Sequence, residues 1–140
     1  MRIGVIDGQG GGIGCKIVEA LRAALPERTR IVVLGTNAVA TANMLRAGAN
    51  EGASGENAIV RTVRQLDLIT GSLGIVIANS FLGEMTPKMA EAIGSCTATK
   101  LLLPLTTSPV RVVGTPEEPL PHLIGMLVEE IQAKGGGRDV

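Results

Sequence analysis

Five glycines fall within seven residues at Gly8-Gln9-Gly10-Gly11-Gly12-Ile13-Gly14, directly after a carboxylate, Asp7. Glycines in such number permit positive φ and leave backbone amides uncovered. The N-terminus of a helix that follows them adds about half a positive charge. That combination binds anions, phosphate most often. Asp7 can hold a magnesium ion or a ribose hydroxyl there, or cap the loop amides. The competing expectation is that the glycines only let a first helix pack tightly on a first strand. No named motif is complete. A G-x-G-x-x-G read from Gly8 puts Ile13 in the last glycine's place, one read from Gly10 puts Cys15 there, and no Gly-Lys-Ser/Thr of a Walker A loop follows.

The flanking pattern supplies the elements that position this loop. Ile3-Gly4-Val5-Ile6 reads as a buried strand, and Ile13, Ile17, Val18, Leu21 and Leu25 fall on one helical face. Arg30 to Leu34 reads as a second buried strand, ending in Gly35-Thr36-Asn37. In a nicotinamide-binding Rossmann unit this turn carries an acid for the ribose hydroxyls or an arginine for the NADP phosphate. Thr36 and Asn37 can hydrogen-bond a ribose or a base edge, or simply cap a helix, so NAD is disfavoured.

Ala38 to Ala47 reads as an alanine-rich helix. The small polar stretch Ala49 to Asn57 is expected as a flexible loop near the carboxyl edge of the sheet, bringing Asn50, Glu56 and Asn57 to the rim, with Ser54 as a helix cap. A helix over Asn57 to Gln65 and a third strand over Asp67 to Thr70 follow. Ile75 to Ala78 is either a strand or a buried helical turn, and a polar break then carries Asn79, Ser80 and Glu84. Thr86-Pro87 starts a helix that runs to about Ile93. Lys100 to Pro104 reads as a fourth buried strand, Val110 to Val113 as an edge strand, and His122 to Ala133 as a last amphipathic helix. The tail from 135 to 140 is expected to be flexible.

With 140 residues the chain fits one domain, long enough to bury about two thirds of its unfolded surface. Thirteen basic and thirteen acidic residues leave zero net charge, and Phe81 is the only aromatic residue. A basic nucleic-acid face, a polybasic membrane patch and base stacking by protein rings all lack support. Cys15 and Cys96 lack C-x-x-C spacing, no signal peptide precedes the first strand, and no apolar run reaches a membrane span. A cytoplasmic location is expected. Cys15 falls in the first helical turn, where a helix dipole lowers a thiol pKa, or it is a small packing residue. His122, the only histidine, is either a base or a helix-entry residue.

Several segments together resemble a family of small bacterial proteins known only as a domain of unknown function. They are Val5-Ile-Asp-Gly-Gln-Gly-Gly-Gly-Ile-Gly14, Leu34-Gly-Thr-Asn-Ala38, Met44-Leu45 with Ala47-Gly-Ala-Asn50, Gly55 to Val60, Ile77-Ala-Asn-Ser80, and Thr86-Pro87 with Met89 to Ile93. The likeness runs from Met1 to about Glu130 and implies a stand-alone cytoplasmic domain with no assigned reaction. The family tends to carry a basic residue where this chain has Cys15. The order of Gly8 to Gly14, Thr36-Asn37 and Ala47 to Asn50 is also similar to three loops of the tubulin-like division GTPases, without their Gly-Gly-Gly-Thr-Gly-Thr-Gly signature or acidic loop.

The expected fold is a three-layer Rossmann-like α/β sandwich around a mostly parallel sheet of four to six strands, spanning residues 1–134. The expected function is binding of a nucleotide, with or without magnesium, or another phosphate-bearing metabolite. Gly8, Gln9, Gly10, Gly11, Gly12 and Gly14 would cradle phosphate, with Asp7, Thr36 and Asn37 at the sugar or a metal, and Asn50, Glu56, Asn57, Asn79 and Ser80 on the rim. The alternatives are an enzyme using Asp7, Glu56 or Glu84 as acid or base, and a homo-oligomeric scaffold without a ligand.

Overall fold

The computed structural model describes residues 1–115 and 117–135; the part of the expected tail beyond Gly135 lies outside the described residues. Apolar runs with β-branched residues form the central strands. β1 (Arg2–Asp7) leads through α1 (Gly12–Ala24) into β2 (Arg30–Gly35), and α2 (Ala38–Arg46) leads into β3 (Glu51–Ser54). The chain then crosses back through α3 (Glu56–Thr62), continued as a 3₁₀ turn over Val63–Gln65, to β4 (Leu68–Ser72). A second 3₁₀ turn (Leu73–Val76) and α4 (Pro87–Ser95) lead to β5 (Thr99–Leu103), and α5 (Leu120–Gly135) closes the fold.

The sheet has five strands in the order β3-β2-β1-β4-β5, every pairing parallel. Alternating strand residues feed two separate cores, so the central strands are buried on both faces. Ile3, Val5, Ile31, Val33 and Leu68 pack under α1, α2 and α5 with Ile17, Leu21, Met44 and Ile131. Ile6, Val32, Leu34 and Ile69 pack under α3 and α4 with Ile59, Val63, Met89 and Ile93. This is the Rossmann-like three-layer arrangement that the sequence predicts. Strand order reverses at β1, whose neighbours β2 and β4 lead away in opposite directions. The carboxyl ends of β1 and β4 therefore flank a topological switch point, where open α/β sheets bind ligands.

Three segments differ from expectation. Glu51–Ser54, expected as part of a flexible loop, is an exposed edge strand in register with Val32–Gly35. Val110–Val113 belongs to no strand and is exposed throughout, because no neighbouring strand pairs with it. Ser54 does not cap α3: its hydroxyl donates to Thr41 Oγ1 at 2.7 Å, and Gly55 holds the cap position. Ile75 falls in a 3₁₀ turn, the helical one of the two alternatives that the sequence leaves open there. Thr86 caps α4 as expected, accepting from the Met89 amide at 3.2 Å with Pro87 following.

On β4, the Thr70 hydroxyl is fully buried and has no hydrogen-bond partner among the described residues. A buried hydroxyl in that state costs free energy that an isosteric apolar group does not. Thr70→Val is expected to stabilise the fold by about 1 kcal/mol, read as a rise in thermal midpoint of roughly 2–4 °C.

Candidate functional site

The loop after β1 is closed from inside by Asp7. This carboxylate is 5% exposed; its Oδ1 accepts the Gly8 amide at 2.8 Å and its Oδ2 the Gly14 amide at 2.7 Å. Burial pushes its pKa up, the Gly14 and Gly8 amides pull it back, and the nearby Glu84 charge adds to the rise. Asp7 thus ties the two ends of the loop together. Each of its oxygens accepts one loop amide, which is the capping arrangement that the sequence offered as one alternative for Asp7.

The glycines divide into two sets. Gly11 takes φ 72°, and a Cβ there would lie 2.9 Å from the Ala40 carbonyl of α2. A Cβ on Gly14 would run into Met44 and come 3.0 Å from Asp7 Cβ; one on Gly8 would come 2.8 Å from the Phe81 ring. These three serve packing. Gly10 and Gly12 are different: a Cβ on either meets nothing within 4 Å, and both are exposed. The amides of Gly10, Gly12 and Ile13 have no acceptor among the described residues, whereas those of Gly8, Gln9, Gly11 and Gly14 are all engaged. Three uncommitted amides therefore gather at the open N-terminus of α1, where the dipole favours an anion.

Thr36 and Asn37, at the end of β2, meet this loop through a carboxylate from far along the chain. Glu84 Oε1 accepts from the Gln9 amide (2.8 Å), the Thr36 hydroxyl (2.6 Å) and Asn37 Nδ2 (2.8 Å). Its Oε2 has no hydrogen-bond partner among the described residues. Burial alone raises the Glu84 pKa, but the bonds from Thr36, Gln9 and Asn37 outweigh it and hold the carboxyl below the usual range. Asn37 also donates to the Gln9 carbonyl and caps α2 by accepting from the Ala40 amide. Asn43 Nδ2 donates to the Gly10 carbonyl at 2.9 Å, and Asn43 Oδ1 accepts from the Arg46 guanidinium. The Cys15 thiol nearby is pushed up, by burial first and then by the Asp7 and Glu19 charges, the direction that goes with the packing alternative for this residue.

Glu84 comes from the segment 77–86, whose backbone is unusual. Asn79, Phe81 and Leu82 all take positive φ (71°, 58° and 56°), followed by Gly83 at 92°. Each non-glycine residue there costs of the order of 1–2 kcal/mol and persists only when its surroundings enforce it. Phe81 lies between Gly8 and Gly74, while Leu82 is 96% exposed at the tip.

The structure gathers Asp7, Gly8, Gln9, Gly10, Gly11, Gly12, Gly14, Thr36 and Asn37 in one place and scatters the expected rim. Asn50 is at the opposite, amino end of the sheet, where its Oδ1 accepts the Ile31 amide (2.8 Å) and Arg22 Nη2 (2.7 Å). The strand beginning at Glu51 carried it there. Glu56 Oε1 accepts the Thr86 hydroxyl at 2.6 Å and ties α3 to α4. Asn57 is exposed on α3. Asn79 forms the 77–86 turn through its backbone, and buried Ser80 contacts Ser108 Oγ at 3.1 Å. His122 is largely exposed and pairs with Glu118 at 3.1 Å, a helix-entry arrangement with no nucleophile in it. Sequence reasoning offered Glu84 only as an acid or base and missed Asn43; a lone amide in an alanine-rich helix was the available signal. A cleft of about 970 Å³ is lined by residues 104–106, 108–113, 115, 117 and 118 together with Leu73 and Leu123, and no described glycine-loop residue reaches it.

The chain belongs to the family described as Domain of unknown function (DUF3842), whose model matches residues 2–135. No curated protein matches it.

Asn50→Ala is expected to cost roughly 1–3 kcal/mol of stability, because the Ile31 amide and Arg22 lose their acceptor. It should leave any ligand affinity unchanged; a thermal melt and a titration check the two halves. For Glu84 the sign follows from a lowered folded-state pKa: its contribution is present above the ordinary glutamate pKa of about 4.3 and is lost as pH falls through the folded value. Glu84→Gln is therefore expected to destabilise most at neutral pH, with the gap to the wild-type protein closing below about pH 4.3 in denaturant titrations.

Proposed function

We propose that the protein binds a nucleotide or another phosphate-bearing metabolite in the cytoplasm, with phosphate on the amides of Gly10, Gly12 and Ile13. One observation carries this reading: three amides at a helix N-terminus are uncommitted and open, in a loop whose remaining amides are all satisfied. Packing accounts for Gly8, Gly11 and Gly14 but not for Gly10 and Gly12. Lys16 and Arg46 are exposed beside the first turn of α1 and have no ion-pair partner among the described residues, so positive charge is free on that side.

Binding is favoured over catalysis. The raised carboxyl pKa that an acid or base near the loop calls for is present on Asp7, but each of its oxygens is held by a loop amide. Glu84 is shifted the other way. Among the described residues no helix is long and apolar enough to cross a membrane.

The test is a thermal shift with ATP, GTP, NAD, NADP and inorganic phosphate, with and without magnesium, on protein stripped of carried-over ligand. A ligand at about a hundred times its dissociation constant adds about 2.7 kcal/mol, a rise of roughly 5–10 °C. Gly12→Val is the control, because a side chain there meets open space, so the fold survives while the amides are covered. A shift that this variant loses is the expected outcome. No shift with any ligand would overturn the reading in favour of a scaffold whose glycines serve packing alone.

A further inference from the structure

We propose that Glu84 accepts the ribose hydroxyls of the bound nucleotide and selects a free 2′,3′-diol over a 2′-deoxy or 2′-phosphorylated sugar. The inference rests on the phosphate reading above and deepens it.

In a doubly wound sheet, a ligand whose phosphate meets the loop after β1 extends its sugar toward the end of β2, where a carboxylate accepts the ribose hydroxyls. Here that position holds Thr36 and Asn37, which carry no charge. The fold supplies the missing acid from the segment after β4. Glu84 crosses the switch point and sets its carboxylate on those two side chains and on the Gln9 amide. All three bonds converge on Oε1, so the head group is fixed in place and orientation before a ligand arrives. Oε2 is left without a partner among the described residues, on a carboxylate that its other oxygen ties to the Gln9 amide of the same loop.

An ionised carboxylate only accepts. A vicinal diol offers it two donors, a 2′-deoxy sugar offers fewer, and a 2′-phosphate brings a second negative charge against it. The site is thus divided by charge, with open amides, Lys16 and Arg46 on the phosphate side and Glu84 on the sugar side. A ligand anion competing for the place of Oε1 would have to break three bonds to one charged oxygen at once, so Glu84 belongs to the site rather than plugging it.

The experiment is calorimetric titration of the wild-type protein with NAD against NADP and with ATP against 2′-deoxy-ATP, repeated on Glu84→Gln. The glutamine keeps an oxygen for Gln9, Thr36 and Asn37 but carries no charge. Expected for the wild type is binding of the diol-bearing member of each bound pair about tenfold or more tighter, the size of one charge-assisted hydrogen bond. Expected for the variant, shown by circular dichroism to be folded, is that both gaps shrink. Glu84→Asp, which withdraws the carboxylate by one methylene, is expected to shrink them too and replaces the glutamine variant if that one fails to fold. Equal affinities within each bound pair in the wild type would overturn this inference and leave the phosphate reading standing. So would a preference that survives unchanged in the folded variants. Binding of none of the four would overturn both.

Discussion

The Asp7 carboxylate is the constraint on which the rest of the site depends. A charge buried at the end of a central strand is costly unless it is hydrogen-bonded, and here two amides meet it from opposite ends of the same loop. Gly14 approaches so closely because it has no Cβ to strike Met44 and Asp7, and that approach brings the first turn of α1 down onto β1. Once Gly8 and Gly14 are turned inward, the amides between them have two remaining directions. Gln9 and Gly11 are taken up by Glu84 and by the Gly8 carbonyl; Gly10, Gly12 and Ile13 have no acceptor among the described residues. One buried carboxylate therefore decides which amides are structural and which are free.

How much of this was legible in the sequence depends on the range of the interaction. The strands at Ile3 and Ile31 and the helix through Ile17 and Leu21 show their buried faces in their own periodicity, because the sheet and its helices bury them locally. Glu51-Gly-Ala-Ser carries no such signal, since an edge strand exposed along its whole length is held only by its pairing with Val32 to Gly35. Val110 to Val113 shows the opposite failure: it alternates suitably but finds no strand to pair with. The misplacement of Asn50 follows from the same missed strand.

Within the site, the five glycines look alike in sequence, and what separates them is what a Cβ would touch. The answer lies at Ala40, Met44 and Phe81, between 29 and 73 residues away, so no local pattern distinguishes Gly11 from Gly12. Thr36 and Asn37 were legible as polar groups at the end of β2. That an acid would join them was not, because Glu84 reaches Thr36 across 48 residues.

The 77–86 segment explains how that reach is secured. Phe81 and Leu82 occupy left-handed backbone that a side chain disfavours, and Leu82 is almost fully exposed, so it recovers nothing through packing. The strain is held from two other points. Phe81 inserts between Gly8 and Gly74, which binds the segment to the ends of β1 and β4 together, and Glu84 anchors it to the end of β2 through three hydrogen bonds. Buried Met85 follows directly and returns the chain to the α4 core. Within the segment, backbone hydrogen bonds such as that from the Asn79 amide to the Met85 carbonyl at 2.7 Å close the turn on itself. Those bonds and the contacts at Gly8 and Thr36 hold the backbone together, and its outcome is a single carboxylate held over the loop that Asp7 closes.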